Sequence, residues 1–214
     1  QYPDESTIQT WKKRESEKGR AYIIYTSGST GDQKGVKISK EALSSYLEWK
    51  LKNFSNYKEN KALLQNGELN FDISIADIAA ALTLNLEIHI SPSTQNLIAH
   101  AKLIRDRKID TFYGVPSTIS KLFSWIATRP DIDLSNFKLI FSGGDVVTFD
   151  MIKLVSKVAP NSHFYNMYGP TEMTMNCLFC RIDEITCENP LKDTVPTGHL
   201  FKHLNSHLTN LILL

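Results

Sequence analysis

From residue 21 onward, short apolar runs alternate with longer stretches in which apolar residues recur every three or four positions. The short runs have strand length: Ala21–Tyr25, Ala62–Gln65, Leu86–Ile90, Thr111–Tyr113, Leu139–Phe141 and His163–Tyr165. Met173–Arg181 reads as a further strand. The longer stretches predict helices over Glu41–Lys52, with Leu43, Tyr46, Leu47 and Leu51 on one face, and over about Ile75–Leu84, Gln95–Arg107, Ser117–Thr128 and Phe149–Val158. Strand–helix alternation of this kind belongs to a parallel sheet covered by helices. The expected fold class is α/β, a mostly parallel β-sheet with helices on both faces. Residues 1–20 are polar and charge-dense and read as a linker or surface segment ahead of a domain over 21–214.

Composition narrows the function classes. The chain has 214 residues, 42% hydrophobic and 22% charged, which is globular and enough for one domain with a sizeable core. Lys plus Arg is 24 against 23 Asp plus Glu, so a net charge of +1 gives no electrostatic reason to expect nucleic acid or an anionic membrane as partner. No apolar run approaches the ~20 residues that span a bilayer; the richest stretch, Ile73 to Ile90, is broken by Asp77, Asn85, Glu87 and His89. Three cysteines do not make a disulfide framework, so a reduced, cytoplasmic protein is expected. The chain opens on Gln1 and stops on the apolar run Leu211 to Leu214, and both ends read as cuts in a longer protein.

In open parallel sheets, ligands bind beyond the carboxyl ends of the strands, so the segments that follow them carry the candidate chemistry. After Ala21–Tyr25 come six Gly, Ser or Thr residues in a row, Thr26, Ser27, Gly28, Ser29, Thr30 and Gly31, and then Lys34 between Gln33 and Gly35. Such a segment suits an anion, through close backbone amides, hydroxyls and a point charge; it also suits a flexible loop with one solvated lysine. A Walker A loop needs Gly before the lysine and Ser or Thr after it, so an ordinary P-loop is disfavoured. After Leu139–Phe141 comes Ser142-Gly143-Gly144-Asp145, which fits either a flat ligand lying on the backbone or a tight turn into a helix. After His163–Tyr165 comes Asn166-Met167-Tyr168-Gly169-Pro170-Thr171-Glu172. This segment offers a stacking ring, a hydroxyl and a carboxylate, or a plain turn with Tyr168 packed down. In Phe71-Asp72-Ile73-Ser74, Ser74 can cap the next helix and Asp72 can face a pocket and hold a cationic group.

Taken together, these segments resemble the hallmarks of the adenylate-forming ligases, the superfamily of acyl-CoA synthetases and amino-acid adenylation domains. Thr26 to Gly35 resembles their phosphate loop, Asn166 to Glu172 matches the adenylation-domain form of their second hallmark, and Phe71 to Ser74 is similar to a third. The likeness runs from about Ala21 to the end and is nearest to amino-acid-activating members, such as nonribosomal peptide synthetase adenylation domains and D-alanine–carrier-protein ligases. It implies ATP and Mg2+ as cofactors, a small carboxylic acid as substrate and a phosphopantetheinyl carrier protein as a partner. Thr26 and Ser27 through Gly31, with Lys34, would grip the outer phosphates. Gly144 and Asp145 would lie against adenine, and Asn166, Tyr168 and Gly169 would bond and stack the base. Thr171 would contact the α-phosphate and Glu172 would hold the metal, so Lys34, Thr171 and Glu172 form the implied catalytic set. Asp72 would pair with a substrate amino group, in a pocket walled by Tyr113, Phe141, Gly143, Met167, Met175 and Asn176.

Two departures stand out. Gln33 replaces the proline usual before the loop lysine, and Asp145 stands where glutamate is common. The later motif with a ribose-binding aspartate, the upstream part and the small C-terminal domain with its lysine have no match here, so a partial AMP-binding domain is expected. The implied reaction is attack of a carboxylate on the α-phosphorus of ATP, release of pyrophosphate, and transfer of the acyl group to a thiol. Asp72 favours an amino acid over a fatty or aryl acid, because a buried carboxylate left unpaired against an alkyl chain costs several kcal/mol. The apolar wall residues suggest a neutral one. A non-catalytic adenylate-binding scaffold is the alternative from another class.

Other clusters carry less. Cys177, Cys180, Cys187 and His199 raise a zinc reading, but residues three apart on a strand point to opposite faces. His199, His203 and His207 recur every four residues, as do Leu200, Leu204 and Leu208, and read as solvated or packed. Lys102, Arg105, Arg107 and Lys108 read as a solvated helix face.

Overall fold

The structure, a computed structural model, describes residues 19–27, 32–54, 57, 62–182 and 193–201. The parallel strands form from almost wholly buried runs. β3 (Ala62–Gln65), β5 (Thr111–Gly114) and β6 (Leu139–Gly143) have every residue buried, as strands covered on both faces must. With β4 (Glu87–Ile90), β7 (His163–Tyr168), β8 (Leu178–Arg181) and β9 (His199–Leu200) they make a seven-stranded sheet in the order β4-β3-β5-β6-β7-β8-β9. It is parallel from β4 to β7, and β8 and β9 join antiparallel.

Alternation along the strands sends side chains to two cores. Leu64, Phe112, Ile140 and Phe164 face α3 (Leu97–Arg107), α4 (Pro116–Ile126) and α5 (Phe149–Val158). Tyr113, Phe141, Tyr165 and Met167 face α1 (Lys40–Phe54) and Ala76 of α2 (Asp72–Leu84). Local chemistry sets the helix starts. The Ser39 hydroxyl accepts from Ala42 N–H at 3.1 Å, Asn96 from Ala99 N–H at 3.0 Å and Thr148 from Met151 N–H at 3.3 Å, while Pro116 occupies the first turn of α4.

Three local expectations are corrected. The first strand, β1 (Arg20–Ser27), stays out of the main sheet and pairs antiparallel with an unforeseen β2 (Gln33–Ser39). Only Val36 and Ile38 of β2 are buried, so its period-2 signal is short and interrupted by lysines. The expected strand Met173–Arg181 starts only at Leu178. Thr171–Met173 is a single 3-10 turn, and Thr174 and Met175 have φ of 60° and 74°, which no strand accommodates. Ser74 lies inside α2 and does not cap it; its hydroxyl donates to the Phe71 carbonyl at 2.8 Å, and α2 begins at Asp72.

Candidate functional site

Strand order reverses between β3 and β5: β4 lies on one side of β3, and the later strands follow β5 on the other. This is the topological switch point, where α/β sheets open a crevice at the carboxyl ends of their strands. A cavity of about 410 Å³ sits there. Asn66 and Gly67 after β3, Gly114 at the end of β5 with Val115 after it, and Gly143 at the end of β6 with Gly144 after it supply its lining, together with Asp72 at the start of α2. Gly169, Met175 and Asn176, from the turn after β7, complete that side.

The glycines are there for space. A Cβ on Gly143 would stand 2.6 Å from both the Met167 carbonyl oxygen and the Tyr113 hydroxyl, and Gly144 has φ +85°. Close packing holds the Tyr113 ring beside the backbone of β6. The Tyr113 hydroxyl donates to Asn176 Oδ1 at 3.2 Å, Asn176 Nδ2 donates to the Tyr46 hydroxyl at 3.4 Å, and Asn66 Nδ2 donates to the Tyr113 carbonyl at 2.6 Å. The four residues, from α1, β5 and the segments after β3 and β7, form one buried polar network. Burial pushes the Tyr113 phenol well above its ordinary value, so it stays a donor.

Beside the cavity, β2 packs against the 3-10 turn. Lys34 Nζ lies 3.3 Å from Glu172 Oε1 although 138 residues separate them. Glu172 is held below the usual carboxylate range, first by its own backbone N–H and then by Lys34. Thr171 opens the 3-10 turn immediately before Glu172, and Asp72 opens α2 at the cavity wall. Burial raises Asp72, Thr171 and the backbone N–H groups of Ile73 and Asp72 oppose the rise, and the Glu172 charge adds to it. The Lys34–Glu172 contact thus lies in the same region as Asp72, which lines the cavity.

Other expected site residues fall as follows. Thr26 pairs with Lys34 across the hairpin, its hydroxyl 3.4 Å from the Lys34 carbonyl, and Ser27 ends β1. Gly28, Ser29, Thr30 and Gly31 lie outside the described residues. Tyr168 is exposed, and so is Asp145, whose carboxylate accepts from Val146 N–H at 2.7 Å. Asn166 is buried with its amide donating to the Pro196 carbonyl at 2.9 Å and the Val195 carbonyl at 3.4 Å. Phe141 and Met167 are buried in the sheet–helix core and do not line the cavity. His199 lies in β9, whereas Cys187, His203 and His207 lie outside the described residues.

Sequence reasoning missed the charges behind the cavity. Lys50 of α1 is buried, with Nζ 5.6 Å from the Tyr46 ring centre and 5.4 Å from that of Phe141. Asp77 of α2 is buried with Oδ2 lacking a hydrogen-bond partner; burial pushes its carboxyl up to about 8, and the Lys50 charge limits the rise. The signal was present: each is a charged residue on the apolar stripe of its helix, Lys50 one turn after Tyr46 and Asp77 beside Ala76.

Residues 2–208 match the family model described as AMP-binding enzyme. The chain is 32% identical over 164 residues to an L-proline–L-prolyl-carrier-protein ligase of Streptomyces coelicolor, across 76% of this chain and 30% of that protein. It is 33% identical over 162 residues to tyrocidine synthase 3 of Brevibacillus parabrevis, across 74% of this chain and 2% of that one. Its fold is similar to that of the Vibrio cholerae adenylation domain AlmE, solved in complex with glycyl-adenosine-5'-phosphate, with TM-score 0.74 and 27% identity over 87% of this chain and 34% of that one. The chain thus spans no more than about a third of the length of these relatives.

Proposed function

The chain belongs to the AMP-binding enzyme family, and from that premise we propose that it is the nucleotide- and substrate-binding part of an enzyme that activates an amino acid with ATP. The reaction joins the substrate carboxylate to the α-phosphorus, expels pyrophosphate and gives an aminoacyl-adenylate. The acyl group then passes to a thiol, for which a carrier-protein phosphopantetheine is the proposed acceptor. The observation that carries this reading is the 3.3 Å approach of Lys34 to Glu172, which brings the glycine-rich hairpin and the turn after β7 together beside the cavity that holds Asp72.

Each residue has a task. Asp72, buried at the cavity wall, is the counter-charge for the substrate ammonium, which fixes the carboxylate end for attack. The exposed Tyr168 ring offers a face for the adenine, and Gly143 and Gly144 leave the backbone open beside it. Lys34 sits where it can neutralise the departing pyrophosphate, and the Thr171 hydroxyl donates to the α-phosphate as its charge grows. The substrate carboxylate is already ionised, so no general base is needed.

Magnesium forms part of the proposal, and the donor set fits it in one way only. Among the described residues no group of three or more His, Cys, Asp or Glu gathers as ligands for a cation. Glu172 is a lone, ionised carboxylate, which suits a magnesium ion held mainly by nucleotide phosphates and water. That ion would supply charge neutralisation at the phosphates. A cytoplasmic location is proposed from the sparse cysteines; no helix among the described residues is long and apolar enough to cross a membrane.

The test is amino-acid-dependent ATP–pyrophosphate exchange by the whole protein that carries this chain, across the standard amino acids and a set of fatty and aryl acids. Exchange with one or a few amino acids is expected. Exchange with fatty or aryl acids alone would replace the amino acid in the proposal, and exchange with none would leave a nucleotide-binding scaffold.

A further inference from the structure

The segment after β4 supplies the wall of the cavity farthest from β7, with Thr94 and Gln95 among the lining residues. Residues 91–96 are tied down at both ends and in the middle. The Ser91 N–H donates to the Gln65 carbonyl at 2.9 Å, and the Asn96 side chain caps α3. Between them the Ser93 carbonyl accepts from the Ser91 hydroxyl at 2.8 Å and from the Asn96 N–H at 3.4 Å. A third donor comes from within α3: His100 Nε2 lies 3.0 Å from the same carbonyl. A carbonyl only accepts, so Nε2 carries the hydrogen. His100 is fully buried, and its Nδ1 has no hydrogen-bond partner among the described residues. Burial lowers its pKa, so the ring stays neutral with its single N–H on Ser93. An apolar ring would fill this place in the core without the cost of an orphaned nitrogen. The bond to the loop, and not packing, accounts for a histidine here.

We propose that His100 is a positioning residue for amino-acid selection: by gripping the Ser93 carbonyl it fixes the loop after β4 as the cavity wall that the substrate side chain meets. The inference rests on the functional reading above and deepens it. In that reading the nucleotide lies at the ends of β6 and β7, and the substrate ammonium meets Asp72, which follows β3 in the chain. The strand order then leaves the β3 and β4 end of the cavity for the rest of the substrate. Thr94 and Gln95 stand at that end and set how long a side chain the cavity admits. Releasing Ser93 costs the fold little, because its carbonyl keeps two other donors and the residue is exposed. The same release frees the wall to move, so the bond acts on selection more than on folding.

The test compares His100→Phe, which keeps a buried ring and removes both nitrogens, with His100→Gln, whose amide nitrogen can stand in for Nε2. Both are made in the whole protein that carries this chain. Amide hydrogen exchange over residues 93–97 reads the loop, and pyrophosphate exchange with each standard amino acid reads selection. In His100→Phe the melting temperature should hold and the loop amides should exchange faster. KM for the best amino acid should rise about 5-fold, the size of one hydrogen bond, with kcat and the KM for ATP unchanged. The lead of that amino acid over the next best should narrow. His100→Gln should restore both readouts. Unchanged loop exchange or an unchanged amino-acid KM in the folded variant would overturn the proposal, and so would an equal rise in the KM for ATP. If His100→Phe does not fold, Gln95→Ala at the exposed rim decides: an altered amino-acid profile supports the wall, and an unaltered one removes the loop from selection. No exchange with any amino acid by the wild type would overturn the functional reading instead, and the loop amides would still show whether His100 holds Ser93.

Discussion

The Tyr113 hydroxyl lies 3.2 Å from Asn176 Oδ1, a bond between β5 and the turn after β7 that ties together two sides of the cavity. Its partners are all buried, and Tyr46 closes the chain from α1. Tyr113→Phe removes one donor and strands the Asn176 acceptor without water. The cost of an unsatisfied buried acceptor is about 1–3 kcal/mol, and thermal denaturation should read it as a lowered Tm. Tyr46→Phe removes only the weaker 3.4 Å contact and should cost less. Equal losses from both would separate Asn176 from the role of the network's centre.

Glu172→Gln keeps the shape of the side chain and removes its charge. Glu172 and Lys34 are both well exposed, so their pair contributes little to the fold, and the melting temperature should stay close to that of the wild type. Pyrophosphate exchange by the whole protein should fall by on the order of 10²-fold or more. A fall that excess magnesium partly restores would identify the metal contact. Unchanged exchange would take Glu172 out of the reaction.

The buried Asp77 carboxyl predicts a pH dependence. Its value is pushed up to about 8 in the folded chain, against 3.8 when exposed. Between those values the native state keeps a proton that the unfolded state has lost, so stability falls as pH rises, by up to roughly 1.4 kcal/mol per pH unit. Below pH 3.8 the group is protonated in both states and contributes no slope. The opposing charge is Lys50 of α1. Asp77→Asn should flatten the decline in Tm between pH 5 and pH 8; the same slope in the variant would assign it to other groups.

The parallel sheet and the site segments were legible for the same reason. Runs such as Thr111 to Gly114 and Leu139 to Gly143 are buried on both faces and therefore read as continuous apolar strands. The segments that follow them carry the glycines and polar residues of the cavity. β2 was not legible, because lysines at 34 and 37 and Gly35 leave only Val36 and Ile38 to announce it. It pairs antiparallel with β1, where strand–helix alternation had suggested a place for β1 in the parallel rhythm. Phe141 and Met167, expected as cavity walls, share a face with the lining residues Tyr113 and Gly143 but are taken up in the core against α1, where Phe54 meets the Phe141 ring at 5.1 Å. The network of Tyr46, Tyr113 and Asn176 joins residues 63 and 130 positions apart, a tertiary convergence that no local pattern encodes.

Asp72→Ala separates substrate classes. An ammonium docked without its carboxylate is a buried charge with no partner, a loss of about 3–5 kcal/mol. Amino-acid-dependent exchange should therefore fall by at least 10²-fold. The same carbon skeleton lacking the amino group needs no counter-charge and should be used as well as by the wild type, or better. An equal loss with both compounds would place Asp72 in the support of the fold, and the thermal melt of the variant would show it.

Gly143→Ala tests how tightly the cavity is built. The added methyl would stand 2.6 Å from the Met167 carbonyl oxygen, which belongs to the backbone of the adjacent strand β7 and has little freedom to retreat. It would stand equally near the Tyr113 hydroxyl, whose ring is flanked by Phe141 at a centroid distance of 6.1 Å. Overpacking of this kind costs about 1–3 kcal/mol, so Tm should fall. The easier of the two yields is the tyrosine tip, which moves only by giving up Asn176 at 3.2 Å. A fold that survives should therefore lose the Tyr113–Asn176 bond, and the Gly143→Ala and Tyr113→Phe penalties should then be less than additive in the double variant. Full additivity would mean that the methyl displaces β7 and leaves the tyrosine where it is.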